Sequence, residues 1–174
     1  MAARLARGIV LLLLGAAAPE PPGLWTGDMN APTPATLAGA TVLPDAAAAQ
    51  AWIAAHHALP VDVAAAPVKP PAMAPGMPWL PAAHQDIPGS LWLPGAGRAV
   101  LSAARATAYL RAVADHAEPA QSVLVYCHPK CWASWNAAKR LLQAGYRNVA
   151  WFPGGIDDWA NSGMPMERTK PTGY

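Results

Sequence analysis

Charge is scarce in this sequence. Only 13% of its 174 residues are charged, with Lys and Arg together at 12 and Asp and Glu at 10. Lys69, Lys130, Lys139, Arg140 and Arg147 are scattered or lie on a helix face. The chain therefore lacks the basic cluster that recruits nucleic acid. Long apolar runs are also missing: Ile9 to Ala18 is too short to span a bilayer, and nothing later is long enough. Cysteine occurs twice, which permits one intramolecular bridge. No internal repeat is evident.

What the chain has in quantity is proline, 20 residues, and tryptophan, 8. Its first 18 residues read as a signal peptide. Arg4 and Arg7 give a basic start, Ile9 to Leu14 an apolar centre, and Ala16 to Ala18 a small-residue cleavage region. The expected location is the periplasm, with no membrane span after cleavage. Removing those residues leaves ten basic residues against ten acidic ones, so the mature chain is near neutral. An oxidising compartment would also permit a stable disulfide. Residues 19–40 form a Pro/Ala-rich lead-in, and Leu24 and Trp25 are expected to dock on the domain.

The pattern over 41–163 alternates strands and helices. Strands are expected at 41–43, 59–63, 91–93, 122–126 and 148–152, and helices from 44 to 55 or 57, over 98–116 and over 132–144, with a helical turn over 156–161. Ala48, Trp52 and Ala55 should face the core in the first helix, while Asn136, Arg140 and Gln143 should form the wet side of the third. His56 and His57 suit a helix end better than a metal site. Residues 64–81 carry six prolines and read as a long insertion, and 164–174 as a tail. The methionines at 73, 77, 164 and 166 read as apolar filling. This order predicts an α/β fold, a central mainly parallel sheet with helices on both faces.

The stretch that carries chemistry is Ser122 to Ser134. A buried strand ends at Cys127, a short loop of His128, Pro129 and Lys130 leads to Cys131, and a helix begins at Trp132. Active loops of parallel sheets lie beyond the carboxyl ends of their strands. Helix-start N–H groups, with Lys130, should favour a Cys127 thiolate. Cys127 could then attack a sulfane sulfur or a partner disulfide, with Cys131 resolving the adduct. His128 could move a proton. Alternatively, the two cysteines close a permanent bridge. Metal ligation by Cys127, His128 and Cys131 would need further ligands, so no metal or cofactor is expected.

These motifs resemble the rhodanese-like domain, the fold of sulfurtransferases and related phosphatases. Asp62 stands where the family has an aspartate at a strand end, and Asp86 to Ser90, DIPGS, resembles its His-Ile-Pro-Gly-Ala signature with Asp86 in the histidine position. Tyr126-Cys127 and the run from Ala144 to Trp159 match further signatures. The loop departs from the phosphatases, for no Arg or Lys lies between Trp132 and Asn136, and Lys130 cannot supply a bidentate fork. Phosphatase activity is not expected. Cys127, Cys131, Trp132 and the following Ser134 to Ala138, with Leu91 to Pro94 and the 32–40 lead-in, resemble the PQQ-dependent catabolism-associated CXXCW-motif family.

That resemblance implies an exported accessory protein linked to PQQ-dependent alcohol oxidation, with a periplasmic PQQ-dependent dehydrogenase or its cytochrome as partner. The first expectation is thiol/sulfur or thiol–disulfide chemistry at Cys127, using a small sulfur donor. The other is a non-catalytic, disulfide-locked binding module for the quinoprotein or its electron acceptor. Trp132, Ser134 and Asp62 are the expected loop or partner surface.

Overall fold

The computed structural model describes residues 19–173; the expected signal peptide lies outside the described residues. The elements are β1 (Thr41–Val42), α1 (Ala46–His56), β2 (Leu59–Asp62), β3 (His84–Asp86), β4 (Leu91–Trp92), α2 (Ala103–Ala114), β5 (Ser122–Tyr126), α3 (Trp132–Gln143), β6 (Asn148–Phe152), α4 (Gly155–Asn161) and β7 (Glu167–Thr169). Five strands form one sheet in the order β1-β6-β5-β2-β4, and every pairing in it is parallel. No helix among the described residues is long and apolar enough to cross a membrane.

The period of two along the central strands divides the core into two layers. Val123 and Val125 of β5, with Val149 and Trp151 of β6, pack against α2 and α3. Leu124 and Tyr126, with Ala150 and Phe152, pack against α1 and α4. The expected α/β architecture, a parallel sheet covered on both faces, is the one observed. β5 sits third of five strands and all its residues are buried, so the loop after it leaves from the middle of the sheet.

Several local expectations change. In α1 Ala48 and Trp52 pack on the core as expected, beside buried Ala46 and Ala49, but Ala55 is exposed. Asp45 caps this helix by accepting from Ala48 N, and His57 ends it with left-handed backbone, φ 47°. α2 begins at Ala103, not at 98, because Ser102 caps it by accepting from Arg105 N. The carbonyls just before that cap accept instead from Arg140: Ala96 O from Nη1 at 3.3 Å and Arg98 O from Nη2 at 2.8 Å. Arg140 is thus buried. So is Asn136, whose Oδ1 accepts from Trp25 N at 2.8 Å while its Nδ2 donates to Trp25 O at 2.9 Å. Of the side of α3 expected to be wet, Asn136 and Arg140 are covered by the lead-in and the 94–99 loop, while Gln143 is exposed as expected.

The expected tail also has structure. β7 pairs antiparallel with β3, an element absent from the sequence-based reading. The 64–81 segment remains irregular, and Val68, Met77 and Leu80 on and beside it are exposed.

The Asn136 clamp yields a first prediction. Asn136→Ala leaves the Trp25 backbone groups without their partner and should cost about 1–3 kcal/mol. Limited proteolysis of the folded variant should then cut near residue 25 faster than in the native chain; equal rates would show that the clamp does not hold the lead-in.

Candidate functional site

β5 delivers Cys127 to the carboxyl end of the sheet, and α3 starts one residue after Cys131. Cys127 and Cys131 are joined by a disulfide, with their Cα atoms 6.2 Å apart. Cys127 is buried and Cys131 half-buried. Between them Lys130 takes left-handed backbone, φ 57°, which turns the chain tightly enough to close the bridge.

The neighbours of the bridge correct the expectation of thiol or sulfur chemistry at Cys127 with Cys131 resolving. Both sulfurs are consumed in one bond, so neither is a nucleophile. The first N–H group of α3, Trp132 N, donates to Met29 O at 2.9 Å. The helix-start dipole that should have stabilised a thiolate is thus partly satisfied by the lead-in. His128 is exposed and its Nδ1 lies 3.2 Å from Asp157 Oδ1, an open surface pair of little energetic consequence. Lys130 is exposed as well.

The three residues expected on a partner surface all lie inside. Trp132 is 1% exposed, with Trp25 stacked on it at 4.3 Å and Trp135 edge-on at 5.4 Å. Ser134 Oγ donates to Cys131 O at 2.9 Å and accepts from Trp151 Nε1 at 3.0 Å, so its hydroxyl ties the helix start to the core. Asp62 is fully buried. The loop is also braced from the far side, where Ile156 N donates to Cys127 O at 2.8 Å. An open cavity of about 360 Å³ borders the bridge and includes Met29, Asn30, Arg98 and His128 in its wall.

Sequence reasoning missed a second cluster. His84 and Asp86 alternate with exposed Gln85 on β3, so both project to the face that meets Asp62. His84 Nε2 is 2.6 Å from Asp62 Oδ2 and 3.0 Å from Asp86 Oδ1. Asp62 Oδ1 accepts from Ala64 N at 2.7 Å, and the Thr169 hydroxyl donates to Asp86 Oδ2. Trp92 stacks on the His84 ring at 3.7 Å. The His-x-Asp spacing within a short polar segment was the available signal.

Burial pushes the Asp86 carboxyl up to about 7 from an ordinary value of 3.8, and the neighbouring Asp62 adds to the rise against the Thr169 hydrogen bond. Burial alone would lower His84, but its contacts with Asp62 and Asp86 outweigh that and raise it. Tyr126, on the adjacent strand, is raised by burial and by both carboxylates. Both Asp86 and His84 therefore hold protons more tightly folded than unfolded. Stability contributed by them is present at low pH and is lost as pH rises through their folded values. Urea midpoints in chelator-containing buffer should fall between about pH 4 and about pH 7. Asp86→Asn should flatten that slope; an unchanged slope would refute the assignment.

A parallel α/β domain with a cysteine loop at the carboxyl end of its central strand is the architecture expected of a rhodanese-like domain. The family is shown by its sequence model: the rhodanese-like domain matches residues 45–162, and the chain belongs to that family. Among solved structures, it resembles the BH2092 protein from Bacillus halodurans at 19% identity and a TM-score of 0.47, covering 75% of this chain and 77% of that one. A thiosulfate sulfurtransferase from Pseudomonas aeruginosa is 25% identical with a TM-score of 0.48, over 76% of this chain and 21% of that one. YnjE is 23% identical with a TM-score of 0.46, over 66% of this chain and 26% of that one. This chain thus spans about a fifth to a quarter of the latter two. No curated protein matches it.

Proposed function

We propose that this chain is a non-catalytic, disulfide-locked rhodanese-like binding module. The observation that carries the reading is the Cys127–Cys131 bridge at the position where the fold presents its nucleophile. The surroundings support it. The α3 start is occupied by Met29 O, no Arg or Lys lies between Trp132 and Asn136, and His128 pairs with a surface carboxylate. A loop of this size gains about 2 kcal/mol from its cross-link by chain entropy, so the bridge fixes local shape more than global stability.

The finer part of the proposal concerns setting and partner. The partner is a periplasmic PQQ-dependent dehydrogenase or the cytochrome that accepts its electrons, the setting implied by the resemblance of the 127–138 stretch and the 32–40 lead-in to the CXXCW-motif family. Export through residues 1–18 belongs to the same reading, and a permanent bridge suits an oxidising compartment.

Two assays on the oxidised protein separate the levels. Thiosulfate and cyanide should give no thiocyanate above the buffer rate. Calorimetric titration against a purified periplasmic quinoprotein dehydrogenase and its cytochrome should show saturable binding to one of them. Turnover that disappears on Cys127→Ser would overturn the binding-module reading. Absence of binding to both proteins would overturn the partner assignment alone.

A further inference from the structure

Asp62 and Asp86 are both fully buried and share a single imidazole nitrogen. Such a nitrogen carries at most one proton. It lies nearer Asp62, and Asp86 Oδ1 has no hydrogen-bond partner among the described residues. An orphaned carboxylate oxygen at zero exposure is costly. The remaining oxygens are engaged outward, Asp62 Oδ1 by Ala64 N–H and Asp86 Oδ2 by the Thr169 hydroxyl. What converges inward is one oxygen from each carboxylate and His84 Nε2, all within 4.8 Å of one another.

We propose that Asp62 Oδ2, His84 Nε2 and Asp86 Oδ1 form a binding site for a divalent transition cation of the Zn²⁺ type. Imidazole and carboxylate donors without thiolate suit such a cation and disfavour Cu(I). Bonds of about 2.0–2.2 Å to a tetrahedral centre put ligand atoms about 3.3 Å apart. The 2.6 and 3.0 Å contacts of His84 Nε2 lie a little short of that spacing, and all three atoms are within 4.8 Å of one another. Two carboxylates neutralise the ion's charge, and each is oriented by a hydrogen bond to its other oxygen, as ligands of bound metals commonly are. The Trp92 stack fixes the plane of the ring.

His84 and Thr169 border a cavity of about 440 Å³ between the proline-rich segment and the residues after β7. Three protein ligands leave the fourth position of a tetrahedral ion to water, the arrangement of an open site and not of a closed structural one. The ligands come from β2 and β3, and β7 supplies the supporting hydroxyl, so the ion ties the antiparallel pair to the main sheet. This site is separate from the disulfide loop, and its failure would leave the binding-module reading intact.

The test is calorimetric titration of chelator-stripped, oxidised full-length protein with ZnCl₂, in which no free thiolate competes. The expected result is uptake of one Zn²⁺ per chain, lost in Asp86→Asn and in His84→Gln, each shown folded by circular dichroism. No uptake by the native chain, or uptake unchanged in both variants, overturns the proposal. A second measurement needs no variant: in nitrogen NMR, one equivalent of Zn²⁺ should shift the His84 Nε2 resonance and leave His56, His57, His116 and His128 unmoved. An unmoved His84 resonance overturns it equally.

Discussion

Trp132→Ala is expected to lower the free energy of unfolding by about 3–5 kcal/mol, the cost of removing a large buried aromatic that the site cannot collapse to fill. Trp132 is 1% exposed and joins two parts of the chain otherwise distant in sequence. Its ring carries Trp25 on one face and meets Trp135 at its edge. Removing it takes away the surface on which the lead-in rests, so the variant should expose the disulfide loop as well as lose stability. Trp132→Phe makes the informative contrast. The indole Nε1 has no hydrogen-bond partner among the described residues, so its removal relieves a desolvated donor while most of the stack survives. That change should cost no more than about 1.5 kcal/mol. Denaturant midpoints of the two variants should differ widely; equal losses would mean that packing at this position is not what holds the lead-in.

Gly155→Ala should be nearly as damaging. Gly155 has φ +57°, and a Cβ there would stand 2.2 Å from Cys127 O. Left-handed backbone costs a non-glycine residue about 1–2 kcal/mol, and forcing an atom into backbone adds about 1–3 kcal/mol. The carbonyl cannot swing aside without breaking its hydrogen bond from Ile156 N. The variant should therefore unfold at lower denaturant and reduce its disulfide faster in dithiothreitol than the native chain does. Gly163→Ala is the control, since it also has positive φ but meets nothing within 4 Å. It should lose only the backbone term and leave the reduction rate unchanged. Equal reduction rates in Gly155→Ala and the native protein would show that α4 does not brace the loop.

The parts of this fold legible in the sequence were those whose causes are local. β5 and β6 are apolar runs bounded by turn residues, and alternate residues do go to opposite layers. The start of α1 follows from Asp45, whose side chain caps it as its type suggests. The misread positions all depend on distant partners. Asn136 and Arg140 look solvent-facing on a helical wheel, yet Asn136 bonds a residue 111 positions away and Arg140 residues 41 to 44 positions away. An irregular covering segment has no periodicity to announce it. The residues after Gly163 lack any strand pattern and are ordered by pairing with β3, itself only three residues long.

The candidate site divides along the same line. Strand, cysteine loop and helix start were readable, since each is a local signal. The state of the cysteines was not, because a separation of four residues permits either a permanent bridge or a cycling pair. The proposed permanent bridge draws its support from the cover: Met29 O on the first N–H of α3, Trp25 on Trp132, and Ile156 N on the Cys127 carbonyl. The Asp62–His84–Asp86 cluster joins two segments across the long proline-rich insertion. Asp62 and Asp86 read separately as family signatures, and only the two-residue spacing of His84 and Asp86 hinted at a cluster.

The central claim is that Cys127 and Cys131 are locked together. It is tested most directly by the intact mass of the protein purified without reductant, measured after alkylation without and then with prior reduction. The account requires a mass short by two hydrogens, no alkylation before reduction, and two alkyl groups after it. Two thiols open to alkylation from the start, or one cysteine carrying an extra sulfur atom, would contradict it and return Cys127 to sulfur chemistry.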